Sequence, residues 1–144
     1  MLAKNLFFPN GIAHNRKTTD DEECVYVAET SQYRILKIFT KGANKGKSEV
    51  LLDNIHGFVD NMKLTSDGNL WVATPALRDH ITNLIDRSTH IRRVILNLRV
   101  PLSAVMFLSN LSYAGGVKID PKQKKIVEYF YGKPDRTNFV TGMV

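Results

Sequence analysis

The chain has a single cysteine and no long hydrophobic run, and each scarcity excludes a class of protein. Because Cys24 is the only cysteine among 144 residues, neither an intrachain disulfide nor a cysteine-based zinc site can form within it. Cys24 lies in an apolar run, so we expect it to be a small buried hydrophobe. No stretch reaches the roughly 18 apolar residues of a membrane span. The first ten or so residues lack the apolar core and cleavage site of a signal peptide.

The charge balance is basic, with 20 Lys and Arg against 14 Asp and Glu and a formal net charge of +6. Such an excess favours an anionic partner, for example a phospholipid surface. Lysines concentrate in two turn-like segments, 41–47 and 122–125, where we expect solvated hairpin tips. The remaining charges are spread along the chain, which argues against nucleic-acid binding.

Period-two alternation interrupted by polar turns predicts eight short strands. The predicted strands lie near 10–13, 24–29, 33–39 and 48–52, and then near 60–64, 69–74, 115–120 and 125–131. The two sets open alike, since Pro9-Asn10-Gly11-Ile12-Ala13 is answered by Val59-Asp60-Asn61-Met62-Lys63. A four-strand unit repeated every 40 to 50 residues or so indicates β-propeller blades. A small eight-stranded sandwich is the alternative.

Residues 75–108 interrupt the second unit. Apolar residues recur at helical spacing between Leu77 and Leu98, with Arg, Asp and Asn on the other side, which predicts one or two amphipathic helices ending before Pro101. Two interpretations remain open: the helices pack on the propeller face, or they face a membrane and their arginines reach lipid phosphates. The arginines concerned are Arg78, Arg87, Arg92 and Arg93.

Six motifs follow one another between residues 5 and 74. They are Phe7-Phe8-Pro9-Asn10-Gly11-Ile12-Ala13, Val25-Tyr26-Val27-Ala28-Glu29-Thr30, Tyr33-Arg34-Ile35-Leu36-Lys37, Lys41-Gly42-Ala43-Asn44-Lys45-Gly46, His56-Gly57-Phe58-Val59-Asp60-Asn61 and Gly68-Asn69-Leu70-Trp71-Val72-Ala73. In this order and spacing they resemble the strictosidine synthase-like family, including its adipocyte plasma membrane-associated members. The resemblance implies an all-β fold, a six-bladed β-propeller related to the paraoxonases and gluconolactonases.

This chain would then supply about two blades of such a ring. Residues 1–144 are interpreted as a partial propeller and as a fragment of a longer protein. The conserved region covers about 5–74, the inserted amphipathic helical segment about 76–99, and strands resume at about 115–131.

The resemblance also implies a calcium ion in the central channel. Asn10 matches the Asn ligand of an Asn-Gly-Ile motif, and Asp60 and Asn61 match an Asp-Asn pair. Carboxylate and carboxamide oxygens suit Ca²⁺, and equivalent starts of consecutive units would converge on one axis. Turn hydrogen bonding is the alternative role for these side chains.

The implied function is calcium-dependent hydrolysis of esters or lactones, of the arylesterase kind, with the catalytic residues unassigned. In paraoxonase-like proteins a histidine follows the strand that ends here at Thr74-Pro75, so this chain departs from that pattern. Glu29 is retained at a strand end, where we expect it to accept hydrogen bonds.

The alternative function is a non-catalytic, membrane-associated binding module that engages an anionic membrane surface through residues 77–99. Amine-aldehyde condensation is a third possibility, but the glutamate it requires belongs to a later blade. The sequon Asn110-Leu111-Ser112 permits glycosylation. Together these features predict a membrane-associated or secretory-lumen location for the longer protein.

Overall fold

A computed structural model describes residues 3–16, 23–101, 103–104 and 114–132. They form two antiparallel four-stranded sheets, each a simple meander in chain order. The first sheet contains β1 (Pro9–Asn15), β2 (Cys24–Glu29), β3 (Arg34–Phe39) and β4 (Ser48–Leu52). The second contains β5 (Met62–Leu64), β6 (Leu70–Thr74), β7 (Ala114–Asp120) and β8 (Lys125–Gly132). The eight strands agree with those predicted, and the partial-propeller fold class is confirmed.

The predicted turns owe their shape to glycine and to short acidic side chains. Gly68 has a φ of +84° in the β5–β6 turn, a conformation that glycine adopts without steric cost. The carboxylate of Asp67 accepts hydrogen bonds from the Thr65 hydroxyl and from the backbone and side-chain N–H groups of Asn69. These bonds, the one from Thr65 foremost, hold the pKa of Asp67 below its usual range. The lysine-rich tips at 41–47 and 122–125 are exposed, as predicted.

The core lies between the two sheets, where one face of each packs on the other. The first sheet contributes Ile35 and Tyr26, and the second contributes Leu70, Val72 and Ile119. Burying one such aliphatic side chain stabilises the fold by about 1.5–3 kcal/mol. Cys24 belongs to the same cluster and is completely buried, which confirms the prediction made for it.

Two helices replace the direct β6–β7 connection: α1 (His80–Arg87) and α2 (Thr89–Asn97). Asp79 and Thr82 form a reciprocal capping box at the start of α1, and the Ser88 hydroxyl accepts from the Ile91 N–H at the start of α2. Ser88 therefore divides the predicted amphipathic segment into two helices.

Much of the apolar stripe predicted for these helices is exposed rather than packed on the blades. Ile81 and Leu84 are 36% and 57% exposed, and Val94 and Leu98 are 54% and 71% exposed. Only Thr82 is classed as buried among the residues of α1 and α2. The two described blades leave these four side chains exposed, and both interpretations of the helix pair, packed on the propeller face or facing a membrane, stay predictions.

Candidate metal site

The three predicted metal ligands lie at the start of the innermost strand of each sheet. Asn10 is the second residue of β1 and is exposed. Asp60 is half-buried, and Asn61 is exposed; both immediately precede β5. The Asp60 N–H donates to the Ala73 carbonyl and the Ala73 N–H donates to the Asn61 carbonyl, each at 2.9 Å. Asp60 and Asn61 are therefore held by the edge of β6.

A close backbone approach at Gly11 brings these residues together. A Cβ atom added at Gly11 would lie 2.3 Å from the Asp60 carbonyl oxygen and 2.8 Å from the Asn61 Cα. No side chain fits in that space, so glycine is what allows β1 and β5 to run side by side. The structure thus places Asn10, next in sequence to Gly11, beside the Asp60-Asn61 pair.

The donor set is chemically suited to a hard cation. Two carboxamides and one carboxylate offer oxygen ligands of the type that Ca²⁺ prefers, although the ion takes six to eight in all. Within the residues that the structure describes, no group of three or more His, Cys, Asp or Glu side chains could hold a metal. Further oxygens would have to come from elsewhere, and the assignment of Asn10, Asp60 and Asn61 as ligands stays a prediction.

Glu29 lies at the same end of the first sheet, because its partner across the β1–β2 ladder is Pro9. Its carboxylate is completely buried. It accepts a 2.8 Å hydrogen bond from the Phe7 N–H and a 2.5 Å bond from Arg34 Nε. Glu29 thus accepts hydrogen bonds at a strand end, as predicted, and fixes the segment that leads into Asn10.

The helical insertion is attached at this end through Tyr33, whose side chain is buried. Its hydroxyl donates to the Asp86 carboxylate in α1. Burial, together with the hydrogen bond to Asp86, raises the pKa of the Tyr33 phenol above its ordinary value. The Arg78 guanidinium lies 4.1 Å from the centre of the Tyr33 ring and donates to Asn54 Oδ1 at 2.8 Å.

Arg78 is one of the arginines predicted to reach lipid phosphates, and the structure shows it half-buried against the first sheet; its contact with lipid stays a prediction. The Tyr33–Arg78–Asp86 contacts join residues far apart in sequence, and the residue spacing carried no signal for them.

Two further polar residues, Thr74 and His14, lie at different ends of the two sheets and do not form a common site. The Thr74 side chain is 1% exposed, and its hydroxyl has no hydrogen-bond partner among the described residues. His14 lies at the opposite end of β1, where its Nε2 is 3.6 Å from Glu23 Oε2. The glycosylation sequon at Asn110 lies outside the described residues.

Two meander sheets that pack face to face, with their first strands adjacent, are typical of consecutive blades of a β-propeller. No protein-family model matches the chain. It is 42% identical over 78 residues to adipocyte plasma membrane-associated protein of Danio rerio, covering 54% of this chain. It is 36% identical over 102 residues to the protein of that name from Salmo salar, covering 68% of this chain. It is 32% identical over 136 residues to strictosidine synthase-like 3 of Arabidopsis thaliana, covering 92% of this chain.

The chain belongs to the strictosidine synthase-like family that includes adipocyte plasma membrane-associated protein. It spans only 18% to 34% of the length of these three relatives. In the described part of the chain, no helix is long and apolar enough to cross a membrane.

Proposed function

We propose that this segment supplies part of the calcium site of a propeller hydrolase that acts on esters or lactones. The observation that carries the proposal is the contact of Gly11 with the backbone of Asp60 and Asn61. This contact brings the starts of two adjacent inner strands together, and it supports a shared ion site because Asn10, Asp60 and Asn61 all lie at those starts.

The geometry around these residues supports the same function. Asn10, Asp60 and Asn61 would hold the ion, and the remaining ligands would come from other blades. Calcium bound there would polarise a carbonyl oxygen and lower the pKa of a bound water. The insertion leaves β6 after Thr74, at the same end of the sheet as Asp60, so α1 and α2 would border the route by which a substrate enters.

The name of the animal relatives describes association with the plasma membrane. We propose a membrane-associated location for the protein that contains this segment as well. We do not propose amine-aldehyde condensation, because the glutamate that this reaction requires belongs to a later blade.

The test is hydrolysis of phenyl acetate and of a simple δ-lactone by a propeller in which this segment is completed by its remaining blades. Asp60→Asn and Asn10→Ala should each lower calcium-dependent turnover by at least the ~10–100-fold that losing a supporting ligand contact costs. Asp53→Asn is the matched control. Asp53 is exposed and directly follows β4, and this substitution removes the same negative charge as Asp60→Asn. Hydrolysis that survives chelation, or that Asp60→Asn leaves unchanged, would overturn the proposal.

A further inference from the structure

We propose that α1, α2 and the turn that ends at Arg99 form a surface that binds anionic phospholipid bilayers. The surface, called here the helix-pair surface, comprises residues 80–99. This inference does not depend on the hydrolase function, because it concerns exposed side chains of α1 and α2 and none of the candidate metal ligands.

The helix-pair surface has several exposed arginines. Arg87, Arg92, Arg93 and Arg99 are exposed, and in the described part of the chain none of them takes part in an ion pair. The sequence contains no Asp or Glu from Arg87 to Ile119. Cationic charge that no neighbour neutralises is free to attract anionic lipid headgroups.

The two nearby carboxylates are already engaged. Asp86 accepts from the Tyr33 hydroxyl, and Asp79 Oδ1 accepts from the Thr82 N–H at 2.7 Å. They serve to attach and cap α1. Asp86 keeps its negative charge, because a hydrogen bond from a neutral hydroxyl does not neutralise a carboxylate, and the four arginines of the helix-pair surface outweigh that single charge.

The helix-pair surface also exposes apolar side chains. Leu84, Val94, Leu96 and Leu98 are 57%, 54%, 74% and 71% exposed. Val94 and Leu98 lie four positions apart and share one side of α2, whereas Arg92 lies on the other side. Apolar side chains on one side of a short helix and arginine on the other are typical of a helix that lies in the membrane interface, with the apolar side in the acyl boundary and the arginine at the phosphates.

The same features disfavour nucleic acid as the partner. Phosphate-backbone binding gains from arginine but not from exposed leucine, and base stacking requires aromatic side chains. Residues 80–99 contain no Phe, Tyr or Trp, and their only aromatic rings are the imidazoles of His80 and His90. A bilayer is the partner that uses both the positive charge and the aliphatic area.

The experiment is vesicle flotation of the full chain with phosphatidylcholine vesicles, with and without phosphatidylserine. We expect flotation only with the anionic vesicles, weakened by added salt. Arg92→Glu with Arg93→Glu should lower the partition constant by about thirtyfold or more, from roughly fivefold per arginine near an anionic surface. Leu84→Gln with Leu98→Gln, both on the exposed apolar side, should lower the partition constant by about tenfold.

Two matched control variants test whether net charge, or exposed apolar side chains elsewhere in the chain, would account for the binding to vesicles. Lys45→Glu with Lys122→Glu changes the net charge equally at exposed turns on the opposite end of the sheets, and Val50→Thr with Val127→Thr alters exposed valines of the outer strands. Both controls should float like the unmodified chain. Circular dichroism of each variant establishes that it is folded.

Three outcomes would overturn the proposal. The first is flotation with neither vesicle type, and the second is an equal loss of flotation in the lysine control and in the Arg92/Arg93 variant. The third is self-association in the absence of lipid that the Leu84/Leu98 change abolishes. The last result would mean that a second copy of the chain covers the surface.

Discussion

The Tyr33 hydroxyl, in the first sheet, donates a hydrogen bond to the Asp86 carboxylate in α1, 53 residues later in the chain. With Arg78 stacked on the Tyr33 ring, this bond attaches the insertion to the blade that carries Asn10. The position of the helices beside the candidate metal site therefore depends on polar contacts, since several of their apolar residues are exposed.

Tyr33→Phe removes the donor and keeps the ring. Because hydrogen bonds to charged groups contribute about 1.5–3 kcal/mol and Asp86 is exposed, we expect a loss of about 1–2 kcal/mol in the free energy of unfolding. Urea unfolding of the unmodified chain and of Tyr33→Phe measures this loss. Tyr129→Phe is the control at a tyrosine that is 43% exposed; equal losses at both positions would show that the bond to Asp86 contributes nothing.

Arg34→Ala should destabilise the chain more than the loss of an ordinary surface arginine. It leaves the completely buried Glu29 carboxylate without its charged partner, and breaking such a pair costs about 3–5 kcal/mol. We expect a loss in the free energy of unfolding of about 3 kcal/mol, the lower end of this range, because the Arg34 side chain is 29% exposed. Thermal unfolding compares it with Arg93→Ala, which lies at an exposed position, and similar melting temperatures for the two variants would contradict this account.

Gly11→Ala should separate the inner strands. The new methyl group would lie 2.3 Å from the Asp60 carbonyl oxygen, and overpacking of this kind costs about 1–3 kcal/mol. Gly132→Ala is the control, since nothing lies within 4 Å of a Cβ there. If denaturant unfolding gives the two variants the same stability, β1 and β5 are not in the contact described.

Stability should fall in alkaline solution. Burial raises the pKa of Tyr26 to about 12, whereas an unfolded tyrosine ionises near pH 10. The folded chain therefore keeps a proton that the unfolded chain loses. The stabilisation is complete below about pH 10, and Tyr26 lowers it by up to about 1.4 kcal/mol per pH unit between about pH 10 and 12.

Urea titrations across this pH range measure the slope, and tyrosinate absorbance reports the ionisation directly. Tyr26→Phe should make the curve shallower by the share of Tyr26, and the remaining slope would include Tyr33, whose pKa is also raised. A slope that Tyr26→Phe leaves intact would mean that other groups control the alkaline transition.

The strands were predictable because their signals are local. Alternation sets the face of each side chain, and Ser66-Asp67-Gly68-Asn69 contains both the carboxylate that accepts the turn's hydrogen bonds and the glycine that adopts positive φ. The internal repeat then indicated that Asn10 and Asp60 begin equivalent strands. These patterns extend over a few residues and need no knowledge of the rest of the fold.

The attachment of the insertion was not predictable in the same way. Helical spacing in 77–98 correctly indicated helices, but an apolar stripe has the same pattern whether it faces a core or a bilayer. The roles of Arg78 and Tyr33 depend on which end of the first sheet the insertion returns to. That is a property of the assembled sheets, and no local pattern encodes it.

The most direct test of the account is calorimetric titration of calcium into a propeller completed around this segment, with and without Asp60→Asn. We predict one site whose affinity falls at least tenfold in Asp60→Asn and in Asn10→Ala, because each removes an oxygen ligand or its charge, and is unchanged in Asp53→Asn. Equal calcium affinity in all four proteins would contradict the assignment of Asn10 and Asp60 as ligands.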